Sequence, residues 1–302
     1  MSWLQQLTDE LSARGVTGAE RRRIVFELQD HIACEPGCED RLGDARGLAH
    51  SFADELASAG ARRSALAVFA ALTVAAGALI LSQLAIGRTG YPGFDNGYSL
   101  ALFIPAALGM FIAPQAALVA GILAAVRALR RRGVAVMPAG EVALIRRRAW
   151  VGLCSGLAAT VGLELYVIDF SAVLPGWWLA LVGGAGAVAM VALLLAGATL
   201  MRSGTIVAGA EGSAGDVFDD LPPVAWGWFR HSPRRLGAAA CAAVTLAMTV
   251  FEWHAERSLI EGLERGVFEG LAATAGFALL GRAIGVLAGR AEVAQSADVV
   301  EG

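Results

Sequence analysis

The chain contains no lysine: all 24 of its basic residues are arginine. Charge is scarce as well, at 17% of residues, against about 25% in a typical soluble domain. Only 4 cysteines and 3 tyrosines occur. Two of the cysteines, Cys154 and Cys241, fall in apolar runs, where a thiol behaves as a small hydrophobe. Such sparse cysteine excludes an extracellular disulfide framework. The arginine bias fits GC-rich coding and points to a bacterial source of the actinobacterial kind; it carries no mechanism. Also missing are a Walker A loop, a G-x-S-x-G elbow, an H-E-x-x-H helix and a nucleotide-binding glycine fingerprint, whose backbone and side-chain groups those chemistries need. No catalytic residue and no cofactor is therefore expected, and the chain reads as a non-enzyme. Residues 1–30 hold no apolar core of a signal peptide, so the first membrane segment is expected to direct targeting.

What is abundant is uncharged apolar sequence. Residues 64–87, 96–126 and 170–201 carry no charged side chain. A helix needs about 20 apolar residues to cross the hydrocarbon core, whereas a soluble core helix rarely needs more than about 12–15. The spacing predicts six spans, at about 64–86, 99–126 (with Pro105 and Pro114 inside it), 149–168, 177–201, 236–253 and 267–287. The expected fold class is all-α: a polytopic six-helix membrane domain (64–288), a small N-terminal helical bundle (1–60) and a tail (289–302). Arginines cluster at every second junction, around 62–63, 127–132, 146–148 and 230–235. Because basic residues accumulate on cytoplasmic flanks, both termini are expected inside the cell membrane. The outer loops are then short, with no sizeable extracellular domain. Three hairpins each open on arginines, so an internal repeat is one reading and topology alone the other. Glycine is frequent, 37 residues, largely in the spans, where small side chains permit close helix packing.

Residues 1–60 differ in kind. They carry eleven acidic residues against six arginines, a net charge of −5. Leu4, Leu7 and Leu11 mark one helix face, and Ile24, Leu28 and Ile32 a second. Thr17-Gly18-Ala19-Glu20 has the form of a capping box, Pro36-Gly37 a break, and Asp44 a cap for a helix bearing Leu48, Phe52 and Leu56. Sixty residues bury only a thin core, so support from the membrane or a partner is expected. An acidic module is a poor partner for nucleic acid, which needs basic side chains, and a suitable protein-docking surface.

Three short motifs in this segment are similar to a known family. Trp3-Leu4-x-x-Leu7, Glu27-Leu28-Gln29-Asp30-His31-Ile32 and Leu42-Gly43-Asp44-Ala45-x-x-Leu48-Ala49 resemble, in order and spacing, the HAAS signalling domain. Ala45 stands where that pattern has proline. The resemblance covers a fifth of the chain. It implies a cytoplasmic helical module fused to membrane helices and associated with winged-helix regulators of the PadR type, with Leu28, Asp30, His31, Asp44 and Phe52 as partner-binding positions.

Other candidates arise from residue chemistry. His31, Cys34 and Cys38 form an H-x2-C-x3-C spacing; imidazole and thiolate suit zinc, the two cysteines suit a redox pair, and all three suit plain structural roles. Glu164 lies inside the third span, where a carboxylate costs about 2.5–3.5 kcal/mol on insertion scales. Glu269 and Arg282 lie at the two ends of the sixth span, Arg282 expected to snorkel to the headgroups. Trp226, Trp228 and Phe229 beside arginines mark loop 203–235 as interfacial. The expected role is transmission of a membrane signal through the head to a transcription regulator; the alternative is a transporter or permease subunit. The expected partners are the lipid bilayer and a PadR-type regulator, with homo-oligomerisation left open.

Overall fold

A computed structural model describes residues 2–35, 39–89, 113–169 and 175–212, and otherwise isolated positions. Most of the expected fifth and sixth spans and of the start of the second, together with Cys38, Glu269, Arg282 and the aromatic loop 213–235, lie outside the described residues. The chain divides into two units, Met1–Asp220 and Leu221–Gly302. In the second, the Thr249 hydroxyl donates to the Thr245 carbonyl at 2.8 Å, one helical turn back.

Among the described residues the fold is all-helical, with no strand. The helices are α1 (Trp3–Ala13), α2 (Gly18–Cys34), α3 (Glu39–Leu42), α4 (Ala45–Thr89), α5 (Ala113–Arg130), α6 (Ala139–Asp169) and α7 (Gly176–Gly204). Four of them, α4 to α7, are long and apolar enough to cross a membrane. Their outward faces agree with that environment. On α7, Val188, Val191, Leu194 and Leu195 are 57–65% exposed, and Leu118, Ile168 and Ile80 present similar apolar surface from the other three helices. Soluble monomers rarely leave so continuous an apolar surface in water.

The helix boundaries correct the sequence reading in three places. The last helix of the head and the first span are one helix, α4, of 45 residues. Arg62 and Arg63 mark a charge boundary, but arginine is a good helix former and no proline occurs between 37 and 91. The third span starts ten residues early, at Ala139 after Pro138, so Arg146, Arg147 and Arg148 are helical rather than part of a loop. Pro114 sits in the first turn of α5, where its missing N–H removes no helical bond.

Helix α4 organises unit 1: it packs against α1, α5, α6 and α7, while α6 packs on α5 and α7. The reason is an alanine at every fourth position, Ala45, Ala49, Ala53, Ala57, Ala61 and Ala65, all buried. A helix turns about 100° per residue, so five such steps rotate the stripe by about 200°. The same small-residue seam thus serves the head at one end and the membrane helices at the other. Close crossing continues upward at glycines. The Leu72 side chain of α4 lies against Gly121 of α5 and against Gly152 and Gly156 of α6, so that a larger residue at 121 or 156 requires the Leu72 methyls to move.

The head is small. In α1, Ser2 caps the N-terminus by accepting from Gln5 N at 3.3 Å, and Leu7 and Leu11 are fully buried. The helix ends in a Schellman turn: Val16 N donates to the Leu11 carbonyl at 2.9 Å, with Gly15 at φ +79°. That left-handed position favours glycine, and the Thr205 carbonyl lies where a Cβ at 15 would stand. Helix α2 begins at Gly18 as expected, but the capping box does not form. Gly18 takes φ +67° and Thr17 makes no side-chain cap bond; the left-handed first residue turns the chain into the helix by another route. Asp44 does cap α4, its Oδ2 accepting from Gly47 N at 3.1 Å.

Candidate functional site

The N-terminal helices meet the long apolar helices along segment 205–210, which follows α7. Val207 N donates to the Arg14 carbonyl at 3.1 Å. Asp54 of α4, buried, accepts from Gly209 N at 2.6 Å and Ala210 N at 3.3 Å. Arg146 of α6 reaches across to the Ile206 carbonyl at 3.0 Å and to that of Ser203. On the other side of α4, Ser58 Oγ accepts from Met137 N at 2.8 Å, and Arg62 donates to the carbonyls of Arg131 and Val134 at 3.1 and 2.5 Å. The stretch of α4 from Asp54 to Arg62 is therefore fastened to the two segments 131–138 and 205–210.

A buried ion cluster completes this junction. Arg127 Nε and Nη2 meet Glu141 Oε2 and Oε1 at 2.7 and 2.5 Å, a two-pronged pair with side chains only 2% and 3% exposed. Arg131 adds a contact to Oε1 at 3.2 Å. Glu141 lies in the first turn of α6, where the helix dipole favours an anion. None of Glu141, Asp54 or Ser58 was singled out from sequence. The available signal was Glu141 itself: it is the single acid between the arginine clusters at 127–132 and 146–148.

The sequence-selected head residues fall into two groups. Leu28 and Phe52 are half-buried and pack on the core. Asp30, His31 and Cys34 are exposed, and Asp44 serves as the cap described above. No residue of α2 is fully buried, and Phe26 is 71% exposed. Its outer surface is charged: Arg23 pairs with Glu27 at 2.7 Å, and that hydrogen bond and charge raise the guanidinium above its ordinary pKa. Among the described residues, no group of three His, Cys, Asp or Glu side chains is arranged to hold a metal ion; Cys38 lies outside them. His50 sits beside Gly209 of the junction segment. Trp3 Nε1 donates to the Gly43 carbonyl at 2.9 Å, which brings together two of the three motifs that carry the family resemblance.

Glu164 lies far along α6. Its carboxylate rests directly over Gly186 of α7, and its Oε1 is buried with no hydrogen-bond partner among the described residues. A side chain at 186 would displace it.

No family model, no curated protein and no solved structure matches this chain.

Proposed function

We infer that the chain is a six-span, multi-pass protein of the bacterial inner membrane, with both termini in the cytoplasm. Its HAAS-like head docks a transcription regulator of the PadR type, or another cytoplasmic protein, and transmits the state of the membrane domain to it. The observation that carries this reading is helix α4. It runs without a break from its cap at Asp44 through the head's core and on into apolar sequence at Ala78. Movement of the helix within lipid must move the head. Transmission then requires only that two packings of α4 differ in affinity for the regulator.

Helix α2 is the surface offered to that regulator. It is lightly docked and exposes Phe26 beside Asp30 and His31. Aromatic anchors rimmed by charge are typical of protein-binding patches. The full-length protein in lipid nanodiscs, used as bait, is expected to retain a purified PadR-type regulator from the same genome, and Phe26→Asp to release it. Retention of no regulator, or equal retention by the variant, contradicts the reading.

A second reading, a transporter or permease subunit with an accessory head, draws on Glu164. A half-buried carboxyl inside an apolar helix, with one buried oxygen that has no hydrogen-bond partner among the described residues, suits a proton or cation path. Loss of flux in Glu164→Gln, with regulator binding intact, would favour it.

A further inference from the structure

A cavity of about 550 Å³ lies at the junction of head and membrane helices. Its floor is Leu56, Gly60, Arg63 and Ser64 of α4. One wall is the turn Gly15–Thr17 with the first turn of α2, and the other is the end of α7 from Thr199 to Ile206. Two guanidinium groups, Arg63 and Arg202, line it from opposite helices. Neither forms an ion pair with a described carboxylate, including Glu20 in the same cavity. The hydroxyl groups around them are already engaged. Ser203 donates to the Leu200 carbonyl at 3.0 Å, Thr205 to that of Arg202 at 2.9 Å and Thr199 to that of Ala196 at 2.7 Å. Ser64 spends its proton on Gly60 or Ser203. Among the described side chains of this cavity, the donors given no acceptor are therefore the two arginines and the Thr17 hydroxyl.

We propose that this cavity binds a phosphate ester, clasped between Arg63 and Arg202. Guanidinium forks match phosphate oxygens in pairs, and two of them from different helices outweigh the single carboxylate of Glu20. Both arginines also belong to the flanks that the charge pattern assigns to the inner surface of the membrane, the level at which lipid phosphates lie. The phosphate has two sources, a lipid headgroup or a soluble phosphate compound. In either case the bound group ties the α1–α2 turn to α4 and α7. The site operates whether or not the head docks a regulator.

Titration calorimetry on the full-length protein in maltoside micelles tests this. The probes are inorganic phosphate, dihexanoyl phosphatidylglycerol and phosphate-free dihexanoylglycerol. Saturable binding is expected for a phosphate-bearing probe and not for dihexanoylglycerol. Binding of inorganic phosphate as well as the lipid identifies a soluble ligand class; binding of the lipid alone identifies the headgroup. Arg63→Gln with Arg202→Gln weakens binding by about tenfold or more. Arg22→Gln with Arg23→Gln, the same charge change on the exposed face of α2, leaves it within about twofold. Where the double variant loses helical circular dichroism, Arg202→Gln alone, at an exposed position, carries the test with an expected loss of about tenfold. Absence of binding to both phosphate probes, or unchanged affinity in the arginine variants, overturns the proposal.

Discussion

Glu141→Ala is expected to cost this protein about 3–5 kcal/mol of stability. The figure follows from burial. Arg127 and Glu141 are almost wholly removed from solvent and joined by two bonds of 2.7 and 2.5 Å. Taking the carboxylate away leaves the guanidinium in a site that water does not reach. The pair as a whole is worth much less than its parts suggest, because desolvating two charges nearly offsets their attraction. Replacing both by apolar residues of similar volume, Arg127→Met with Glu141→Leu, should therefore recover most of the loss and end within about 1–2 kcal/mol of the parent. Arg131, which is 45% exposed, contributes only the about 0–1 kcal/mol of a surface contact, so Arg131→Gln is nearly silent. The assay is unfolding of the purified protein in mixed micelles of rising dodecyl sulfate fraction, followed by helical circular dichroism. A loss below about 1 kcal/mol for Glu141→Ala, or a double variant as unstable as the sum of the singles, refutes the reasoning.

Further outcomes follow from the same geometry. Spin labels at the exposed positions Glu55 and Ile80 are 25 residues apart on one helix, which places their backbones about 38 Å apart. Pulsed dipolar spectroscopy in nanodiscs should give one narrow distribution near that value, and a short, broad one would mean that α4 breaks between head and span. Gly15→Ala meets both a left-handed backbone and the Thr205 carbonyl. The backbone alone costs about 1–2 kcal/mol, so limited proteolysis should cleave the α1–α2 turn faster than in the parent; unchanged protection would show that the head does not rest on the end of α7.

Much of this architecture is legible in the amino-acid order, and the parts that are not have physical causes. Charge-free runs gave the positions of α4, α5 and α7, and a long apolar run broken only by Glu164 that of α6, because lipid-crossing length and scarcity of ionised groups are severe requirements. The ends of those helices were harder. Arginine pairs are strong markers of a membrane surface but do not stop a helix, so the run at 62–63 hid the continuity of α4 and that at 146–148 hid the early start of α6. The Thr17 box failed because capping depends on the backbone angle at Gly18, which composition does not report. Asp44 succeeded because the cap there is local. The junction cluster was illegible for a different reason: Arg127 and Glu141 are fourteen positions apart, and only the return of the chain through 131–138 brings them together. The α4 stripe, by contrast, was in plain view as alanine at every fourth residue. Its meaning depends on the slow rotation of that spacing around the helix.

The most direct test of the account is the sidedness of the head in living cells. Cys34 is exposed on α2, so a variant keeping it as the single cysteine, with Cys38, Cys154 and Cys241 changed to serine, reports where the head lies. A membrane-impermeant maleimide should leave Cys34 unmodified in intact cells and label it after the membrane is opened, with the protein recovered in the membrane fraction. Labelling of Cys34 in intact cells, or recovery of the protein as a soluble species without detergent, would contradict a cytoplasmic head on a helix that enters the bilayer.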